Sequence, residues 1–298
     1  MQKLTYDQEY FDLMTSSLGD KKKILDYLID GPTLDVGAGT GDLSKTIMKF
    51  GHETYSLDYS PESLEILRKI KGLHVLKGSS ERLGNLLYPG FFSNIVCSSV
   101  LHEVFSYGHS NTGEYSWGAF NETLHHMRTL LKDGGRLIIR DGVIPTTNRT
   151  IRAHFTDPVE LSDFLEEYVK DFPDFTKEEK LIVKGSSNQY IHLTMTDPYT
   201  LYGDEQSIME FIYTFTWGIR SVHRESKEKY ALFTRSEYAE YVQKYGFSLV
   251  HSEEYLQPGY REHLEERVSL YDSDNVKIDF PSSNQLLVFK ADPYAWTN

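Results

Sequence analysis

A glycine-rich turn after the first apolar strand could bring the backbone close to a ligand. Residues 34–42 contain Asp35 followed by glycines at alternate positions, Gly37, Gly39 and Gly41. Glycine permits both the tight turn and the close approach, and a helix that begins there directs its N–H groups toward the same point. Because Asp35 is acidic, the turn suits a ligand with hydroxyl groups or positive charge better than one with phosphates.

Polar side chains also stand at the ends of later apolar strands. Asp58 ends the second strand, Ser98 ends the fourth, and Arg140 and Asp141 end the fifth. Since the carboxyl ends of parallel strands meet at one edge of a sheet, these side chains should lie near the glycine turn. His102 follows the fourth strand and could remove a proton from a hydroxyl group, because imidazole titrates near neutral pH.

The composition limits the classes of partner and site. The chain has 298 residues, 39% of them hydrophobic, and a formal net charge of -13, which opposes general coating of nucleic acids. Cys97 is the single cysteine, so neither a disulfide framework nor a thiolate zinc cluster is expected. The adjacent His125 and His126 point in different directions on a helix, and we predict no metal site. The chain lacks a secretion-signal core and a long apolar run, which predicts no membrane span and a cytoplasmic location.

The alternation of strand and helix patterns predicts the fold class. It indicates an α/β protein with a doubly wound, mostly parallel sheet and helices on both faces. Strands are predicted at residues 33–36, 53–57, 73–77, 94–98, 136–139, 246–254 and 285–289. Helices with one apolar face are predicted at residues 41–50, 60–71 and 116–132.

The pattern also divides the chain into parts. Residues 1–32 are interpreted as two helices over the ligand site, and residues 33–145 and 246–298 as the α/β core. The alternation is lost over residues 146–245, where three X–Pro pairs interrupt the chain. We predict an inserted, mainly helical cap there for substrate recognition. Its predicted elements are a hairpin at 180–184 and 189–195 and helices at 205–217 and 235–245.

In five segments the sequence resembles the class I S-adenosylmethionine-dependent methyltransferases, in the family's order and near its spacing. The resemblance covers residues 24–145 well and 234–291 weakly. The segments are the glycine turn with Asp35, the acidic Asp58, residues 97–103 after the fourth strand, residues 134–139 at the start of the fifth, and residues 245–247 before a late strand.

The resemblance implies a seven-stranded sheet with one antiparallel strand. It also implies S-adenosyl-L-methionine as cofactor and S-adenosyl-L-homocysteine as product, held over the carboxyl ends of the first strands. Asp58 would accept hydrogen bonds from both ribose hydroxyls. The implied cofactor residues are Asp35, Gly37, Ala38, Gly39, Asp58, Tyr59, Ser79, Ser80 and Ser98.

Candidate residues for the transfer follow from the same strand ends. His102 is the candidate general base, and Glu103 could orient it or act itself. The candidate substrate contacts are Tyr10, Arg140 and Asp141. Two structural alternatives stay open: His102 packs against the sheet edge, and Arg140 and Asp141 pair with each other.

The predicted cap is rich in aromatic and basic side chains. Its ring-bearing residues either line an apolar acceptor pocket or form the cap's own core: Tyr190, His192, Tyr199, Tyr202, Tyr213, Phe215 and Trp217. A patch of its basic residues would favour an RNA acceptor: Arg149, Arg152, Arg220, His223 and Arg224.

These features predict an enzyme that moves a methyl group from S-adenosylmethionine to an oxygen or nitrogen atom of a small-molecule acceptor. The alternatives are a methyltransferase that acts on RNA or protein, and a non-catalytic S-adenosylmethionine-binding protein. A nicotinamide enzyme is disfavoured because Asp42 stands where the dinucleotide fingerprint requires glycine. The sequence assigns no oligomeric state.

Overall fold

A computed structural model describes residues 21–85, 88–108, 115–147, 149–170, 181–184 and 191–293. The chain divides into two compact units. The core unit comprises Met1–Gly142, Arg235–Glu254 and Asn284–Asn298, and the inserted unit comprises Val143–Thr234 and Tyr255–Ser283. These bounds differ from the predicted parts, since residues 1–32 and 235–245 belong to the core unit and residues 143–145 and 255–283 belong to the inserted unit.

Strands and helices are named here in chain order. The strands are β1 Thr33–Val36, β2 Thr54–Asp58, β3 His74–Lys77, β4 Phe92–Ser98, β5 Leu131–Gly142, β6 Thr150–Phe155, β7 Leu181–Lys184, β8 Ile191–Asp197, β9 Thr200–Asp204, β10 Phe247–Tyr255, β11 Val268–Tyr271, β12 Lys277–Ile278 and β13 Asn284–Ala291. The α-helices are α1 Asp42–Lys49, α2 Pro61–Leu67, α3 Leu101–Tyr107, α4 Trp117–Leu130, α5 Pro158–Val169, α6 Glu205–Thr216, α7 Val222–Glu225, α8 Arg235–Gln243 and α9 Tyr260–Leu264. Short 3₁₀ helices lie at Lys22–Tyr27 and Ser80–Asn85.

The core unit contains a seven-stranded sheet in the order β10-β13-β5-β4-β1-β2-β3. Strands β3, β2, β1, β4 and β5 run parallel to one another, and β13 is antiparallel to β5. The predicted mostly parallel, seven-stranded sheet is therefore confirmed. Its topology brings the carboxyl ends of β1, β2 and β4 to one edge of the sheet.

The local sequence explains these elements. The central strand β1 is buried at all four positions, as expected when helices cover both faces of a parallel sheet. Ser60 caps α2 by accepting a hydrogen bond from the Ser63 N–H, and Pro61 occupies the first helical position, where its missing N–H costs nothing. These two residues fix the start of α2 directly after the end of β2.

The inserted unit contains a six-stranded sheet in the order β12-β11-β6-β9-β8-β7, and every neighbouring pair is antiparallel. The predicted hairpin is confirmed by the pairing of β7 with β8, and the predicted helix at 205–217 by α6. The prediction of a mainly helical insertion needs correction, because the unit contains this six-stranded sheet as well as helices.

The missed strands have a physical explanation. Each is short, and none produces a continuous apolar run. In β6 buried and polar residues alternate: Ile151, Ala153 and Phe155 are buried, while Arg152 and His154 are not. The buried residues pack with Phe211 and other residues of α6 in one hydrophobic cluster. Tyr213 and Phe215 belong to that cluster, which supports the core alternative for these two aromatic residues.

Two sequence predictions concern the beginning of the chain. The helix predicted at residues 21–29 is a 3₁₀ helix over Lys22–Tyr27. The helix predicted at residues 8–17 and the candidate substrate residue Tyr10 lie outside the described residues. Among the helices that the structure does describe, none combines the length and apolar character that crossing a membrane requires.

Candidate active site

The glycine turn lies between β1 and α1, and its conformation requires glycine. Gly37, Gly39 and Gly41 have φ angles of 67°, 54° and 73°, in the left-handed region that side chains disfavour. A Cβ atom on Gly37 would lie 2.4 Å from Cγ2 of Val100. The N–H groups of Gly37 and Ala38 donate to the Leu57 carbonyl at 2.9 and 3.1 Å, so the turn is packed and hydrogen-bonded rather than loose.

Asp58 connects the end of β2 to the glycine turn. Its Oδ2 accepts a hydrogen bond from the Gly39 N–H at 2.9 Å, and its Oδ1 accepts one from the Ser60 N–H at 2.8 Å. Burial raises the pKa of this carboxyl, and these N–H donors oppose the rise. Because each carboxylate oxygen has two lone pairs, Asp58 retains the capacity to accept further hydroxyl donors. The neighbouring Tyr59 is half exposed.

Asp35 lies inside β1 and is bonded to helix α1. The Ser44 hydroxyl lies 2.5 Å from Oδ2 of Asp35 and 2.7 Å from the Ser56 hydroxyl. Asp35 is buried, and that burial raises the pKa of its carboxyl to about 6. The observed contacts of Asp35 thus hold α1 against the strands beneath the turn.

Three serines stand at strand ends on this edge. Ser79 and Ser80 follow β3, and Ser98 is the last residue of β4. The Ser80 hydroxyl lies 3.2 Å from the Thr123 hydroxyl. The Oγ atoms of Ser79 and Ser98 are buried and have no hydrogen-bond partner within the described part of the protein. A buried hydroxyl without a partner costs about 1–3 kcal/mol, which an added polar ligand would offset.

His102 and Asp141 form a buried pair within the core unit. Nδ1 of His102 lies 2.5 Å from Oδ1 of Asp141, and the His102 backbone N–H donates to Oδ2 at 3.1 Å. The Gly142 N–H also donates to Oδ1, at 3.1 Å. The His102 and Asp141 side chains are 7% and 2% exposed. The pair forms because Ser98 and Arg140 are register partners on β4 and β5, which places the residues after them side by side.

Arg140 and Asp141 contact different partners. Consecutive strand residues point to opposite faces of a sheet. The Arg140 guanidinium donates to the Ser99 hydroxyl at 2.5 Å, and the Ser99 N–H donates to the Arg140 carbonyl at 2.7 Å. Ser99 has a φ angle of 56°, so these bonds hold a left-handed residue between β4 and α3. Glu103 is half-buried in the first turn of α3, where a carboxylate interacts favourably with the helix dipole.

This edge of the sheet lies in a segment that matches a known protein family. A family model described as a methyltransferase domain matches residues 30–195, more than half of the chain. The matched range contains the glycine turn, Asp58, and the His102–Asp141 pair. The chain belongs to the class I S-adenosylmethionine-dependent methyltransferases. It is a methyltransferase, and S-adenosylmethionine is its cofactor.

Three solved structures are similar to this methyltransferase at low sequence identity. A Listeria monocytogenes protein, proposed to be an S-adenosylmethionine-dependent methyltransferase, is 14% identical over 94% of this chain and 99% of its own, with a TM-score of 0.50. A Haloferax volcanii complex between a methyltransferase activator and a proposed methyltransferase gives 11% identity over 97% and 99%, with a TM-score of 0.50. The Burkholderia thailandensis 1,6-didemethyltoxoflavin-N1-methyltransferase gives 13% over 95% and 82%, with a TM-score of 0.49. No curated protein matches the sequence.

The residues at this edge fit the cofactor. The unsatisfied Oγ atoms of Ser79 and Ser98 and the acceptor capacity of Asp58 are what a nucleoside with hydroxyl and amino groups requires. Val100 occupies the space beside the Cα atom of Gly37. Gly37 therefore allows the backbone to turn there, and the space beside it is not open to a ligand. The bonded Asp35 orders the same turn from below.

The sequence did not reveal the contacts of three residues that shape the site, although two of them, Ser99 and Val100, lie in the matched segment 97–103. Ser44 bonds Asp35, Ser99 bonds Arg140, and Val100 packs on Gly37. The role of each residue depends on a contact with another part of the chain. A single serine or valine belongs to no motif whose spacing would reveal such a contact. The partnership of His102 with Asp141 depends on the register of β4 with β5, because His102 follows β4 and Asp141 is the penultimate residue of β5.

Proposed function

We propose that this methyltransferase transfers the methyl group to an oxygen or nitrogen atom of a small-molecule acceptor, with His102 as general base. The hydrogen bond between His102 and Asp141 is the observation that carries the proposal. An ionised carboxylate can only accept, so Nδ1 of His102 must bear the proton. In the neutral imidazole this assigns the lone pair to Nε2, which is the tautomer that a base needs.

A base favours one class of acceptor. S-adenosylmethionine supplies a methyl group already activated on a positively charged sulfur, so alignment accounts for much of the rate. Removal of a proton matters when the acceptor is a hydroxyl or a protonated nitrogen. A buried histidine held in one tautomer therefore supports a protic acceptor. Asp141 is assigned as the positioning residue for His102, in place of the substrate contact predicted from the sequence.

The remaining site residues take roles that match their contacts. We assign Asp58 to the ribose hydroxyls, Ser79 and Ser98 to polar groups of the cofactor, and Asp35 and Gly37 to the order of the turn. Glu103 stays the second candidate for proton transfer, and Arg140 supports the backbone at Ser99. The cytoplasmic location predicted from the sequence is kept as part of this proposal.

Three of the five basic residues predicted as an RNA patch lie beside carboxylates. Arg149 pairs with the buried Glu205 at 2.7 Å, Arg224 pairs with Glu225, and His223 lies 3.1 Å from Glu167. A guanidinium bonded to a carboxylate contributes little to phosphate binding. This supports a small acceptor over a structured RNA acceptor.

The test measures S-adenosylhomocysteine release with a panel of phenols, alcohols and amines, and then the pH dependence of kcat. We expect His102→Ala to lower kcat by about 10²- to 10⁴-fold with unchanged cofactor affinity. Asp141→Asn should lower kcat as well, since the amide no longer selects the tautomer. The matched control is His125→Ala, at an exposed position of α4, which should behave as wild type.

Three outcomes would contradict parts of the proposal. Full turnover by His102→Ala would remove the base assignment and leave alignment alone. Methylation of transcripts or proteins, with none of the panel accepted, would overturn the small-molecule acceptor. Cofactor binding with no acceptor in any class would favour the non-catalytic alternative.

A further inference from the structure

The two faces of the inserted unit's sheet differ in character. Register pairing joins one residue from each of five strands into a line: Lys277, Tyr271, Arg152, Tyr202 and Thr194. Residues paired across antiparallel strands point to the same face. We call this line the cross-sheet row. The residues between them along the strands, such as Ile151 and Leu201, are fully buried in the core on the opposite face.

The cross-sheet row presents aromatic rings and a guanidinium to the surface. Tyr202 is 40% exposed. On the neighbouring strand, the Arg152 guanidinium lies 5.9 Å from the centre of the Tyr271 ring and donates to the Asn275 side chain. The arginine therefore stands between two tyrosines, one on each adjacent strand.

A second aromatic pair lies beside the row on the same face. His154 is two residues from Arg152 along β6, so its side chain shares the outward direction. Its ring stacks on Tyr199, with centroids 5.7 Å apart and an interplanar angle of 26°. Tyr199 is also 40% exposed. Exposed aromatic rings therefore lie at two positions along the strands of this face, Tyr202 in the row and the His154–Tyr199 pair beside it.

The cross-sheet row has positive charge, whereas the whole chain has an excess of negative charge. The chain has 44 acidic and 31 basic residues, yet the cross-sheet row contains Arg152 and Lys277 and no carboxylate. In the described strands of this sheet the carboxylates are Asp197 and Asp204, both at strand ends, and Asp272 and Asp274 lie in the turn after β11. Asp204 accepts hydrogen bonds from the Ser207 N–H and hydroxyl, and Asp197 accepts one from the Tyr199 N–H.

We propose that this face of the inserted unit binds single-stranded nucleic acid. Unpaired bases stack on exposed aromatic side chains of an open sheet, and phosphates are neutralised by adjacent cations. Tyr202 and the His154–Tyr199 pair supply the stacking surfaces, and Arg152 and Lys277 supply the charge. A duplex keeps its base faces inside and does not fit. The bound strand need not be the methyl acceptor, so the inference is independent of the proposed acceptor class.

The test is fluorescence anisotropy with labelled 12-nucleotide single strands of RNA and DNA, and with the matching duplexes, over a range of salt concentrations. We expect single strands to bind more tightly than duplexes. Tyr202→Ala should weaken binding by about 5- to 150-fold, the usual effect of removing one stacking residue. Arg152→Ala should make the slope of log affinity against log salt shallower by about 0.7, as expected when one phosphate is no longer neutralised.

Matched controls keep the result interpretable. Tyr88→Ala and Arg68→Ala remove an exposed tyrosine and an exposed arginine from the core unit and should bind as wild type. Circular dichroism and S-adenosylmethionine affinity show that each variant is folded. Tighter binding of RNA than of DNA would indicate a contact to the 2′-hydroxyl group. Equal affinities would indicate that recognition depends on base stacking and phosphate contacts. Both results support the proposal. Absence of binding at low salt, preference for duplexes, or equal decreases in the control variants would overturn it.

Discussion

The core unit and the inserted unit place their polar residues in different ways. In the parallel sheet of the core unit, Asp58, Ser98 and Asp141 stand at strand ends and meet at one edge. In the antiparallel sheet of the inserted unit, Arg152, Tyr202 and their neighbours alternate with core residues and cover a face. A parallel sheet is buried on both faces, which leaves its edge for ligands, whereas an antiparallel sheet with one covered face offers a surface.

The largest effect expected from this comparison is on stability. Phe211 is fully buried and contacts Phe155, Phe164 and Tyr168. Phe211→Ala should lower the free energy of unfolding by about 3–5 kcal/mol, because it leaves a cavity. S-adenosylmethionine affinity, measured by calorimetry below the transition, should stay within about twofold of wild type. The surface variant Val159→Ala is the control and should match wild type. If Phe211→Ala also lowered cofactor affinity strongly, cofactor binding would depend on the core of the inserted unit as well as on the core unit.

The buried carboxylate of Asp35 should make the core unit less stable at high pH. Its folded-state pKa is raised to about 6 from an ordinary 3.8, so the folded state favours the protonated form. That contribution to stability is complete below the ordinary value and is lost as the pH rises through 6. Asp35→Asn should therefore be more stable than wild type at pH 8 by up to about 3 kcal/mol, with a smaller difference at pH 5.

Urea denaturation at several pH values measures this difference. The exposed Asp26→Asn is the matched control and should show no such dependence. We expect Asp35→Asn to bind S-adenosylmethionine less well, since Asp35 orders the turn through Ser44. A pH-independent difference between wild type and Asp35→Asn would contradict the role of ionisation.

The ribose assignment of Asp58 gives the third prediction. Asp58→Ala should weaken cofactor binding by roughly 10- to 150-fold, the effect of removing charged hydrogen bonds worth about 1.5–3 kcal/mol. Isothermal calorimetry with S-adenosylmethionine measures the change, and Asp30→Ala at an exposed position controls for net charge. Unchanged affinity would show that Asp58 serves the Gly39 and Ser60 N–H groups alone.

The smallest expected effect concerns two serines at the same edge. Ser98→Ala removes a buried hydroxyl without a partner, so the protein should be equally or more stable by up to about 1 kcal/mol, while cofactor affinity falls. Ser80→Ala removes a hydroxyl that bonds Thr123 and should destabilise by about 1 kcal/mol. Thermal unfolding with and without cofactor separates the two. Equal destabilisation by both variants would mean that the Ser98 hydroxyl has a structural role.

Much of the core unit was predictable because its signals are local. The glycines that require a left-handed φ, the Ser60–Pro61 helix start and the acidic Asp58 after a strand are each visible in a few residues. The register of β4 with β5 is not visible in this way, and that register places Asp141 beside His102. Likewise Ser44 becomes meaningful through its contact with Asp35, which lies on a different element.

The inserted unit was harder to predict for the opposite reason. Its strands are short and alternate polar with apolar residues, so strand β6 resembles a loop with scattered hydrophobic positions. Residues 255–283 lie far along the chain from β6, yet β11 completes the sheet beside it through the pairing of Leu270 with Ala153. Such pairing between distant segments leaves no mark in either segment alone.

The order of strands in the core sheet has a consequence for how the chain is assembled during synthesis. Strand β13 lies between β10 and β5, so β10 has no place in the sheet until residues 284–291 have left the ribosome. Both stretches of the inserted unit are made before that moment. Contacts so distant along the chain form slowly, and an interrupted translation product that ends before Asn284 would expose the unpaired edge of β5. We expect such truncated chains to aggregate, even though they already carry every residue assigned to the cofactor.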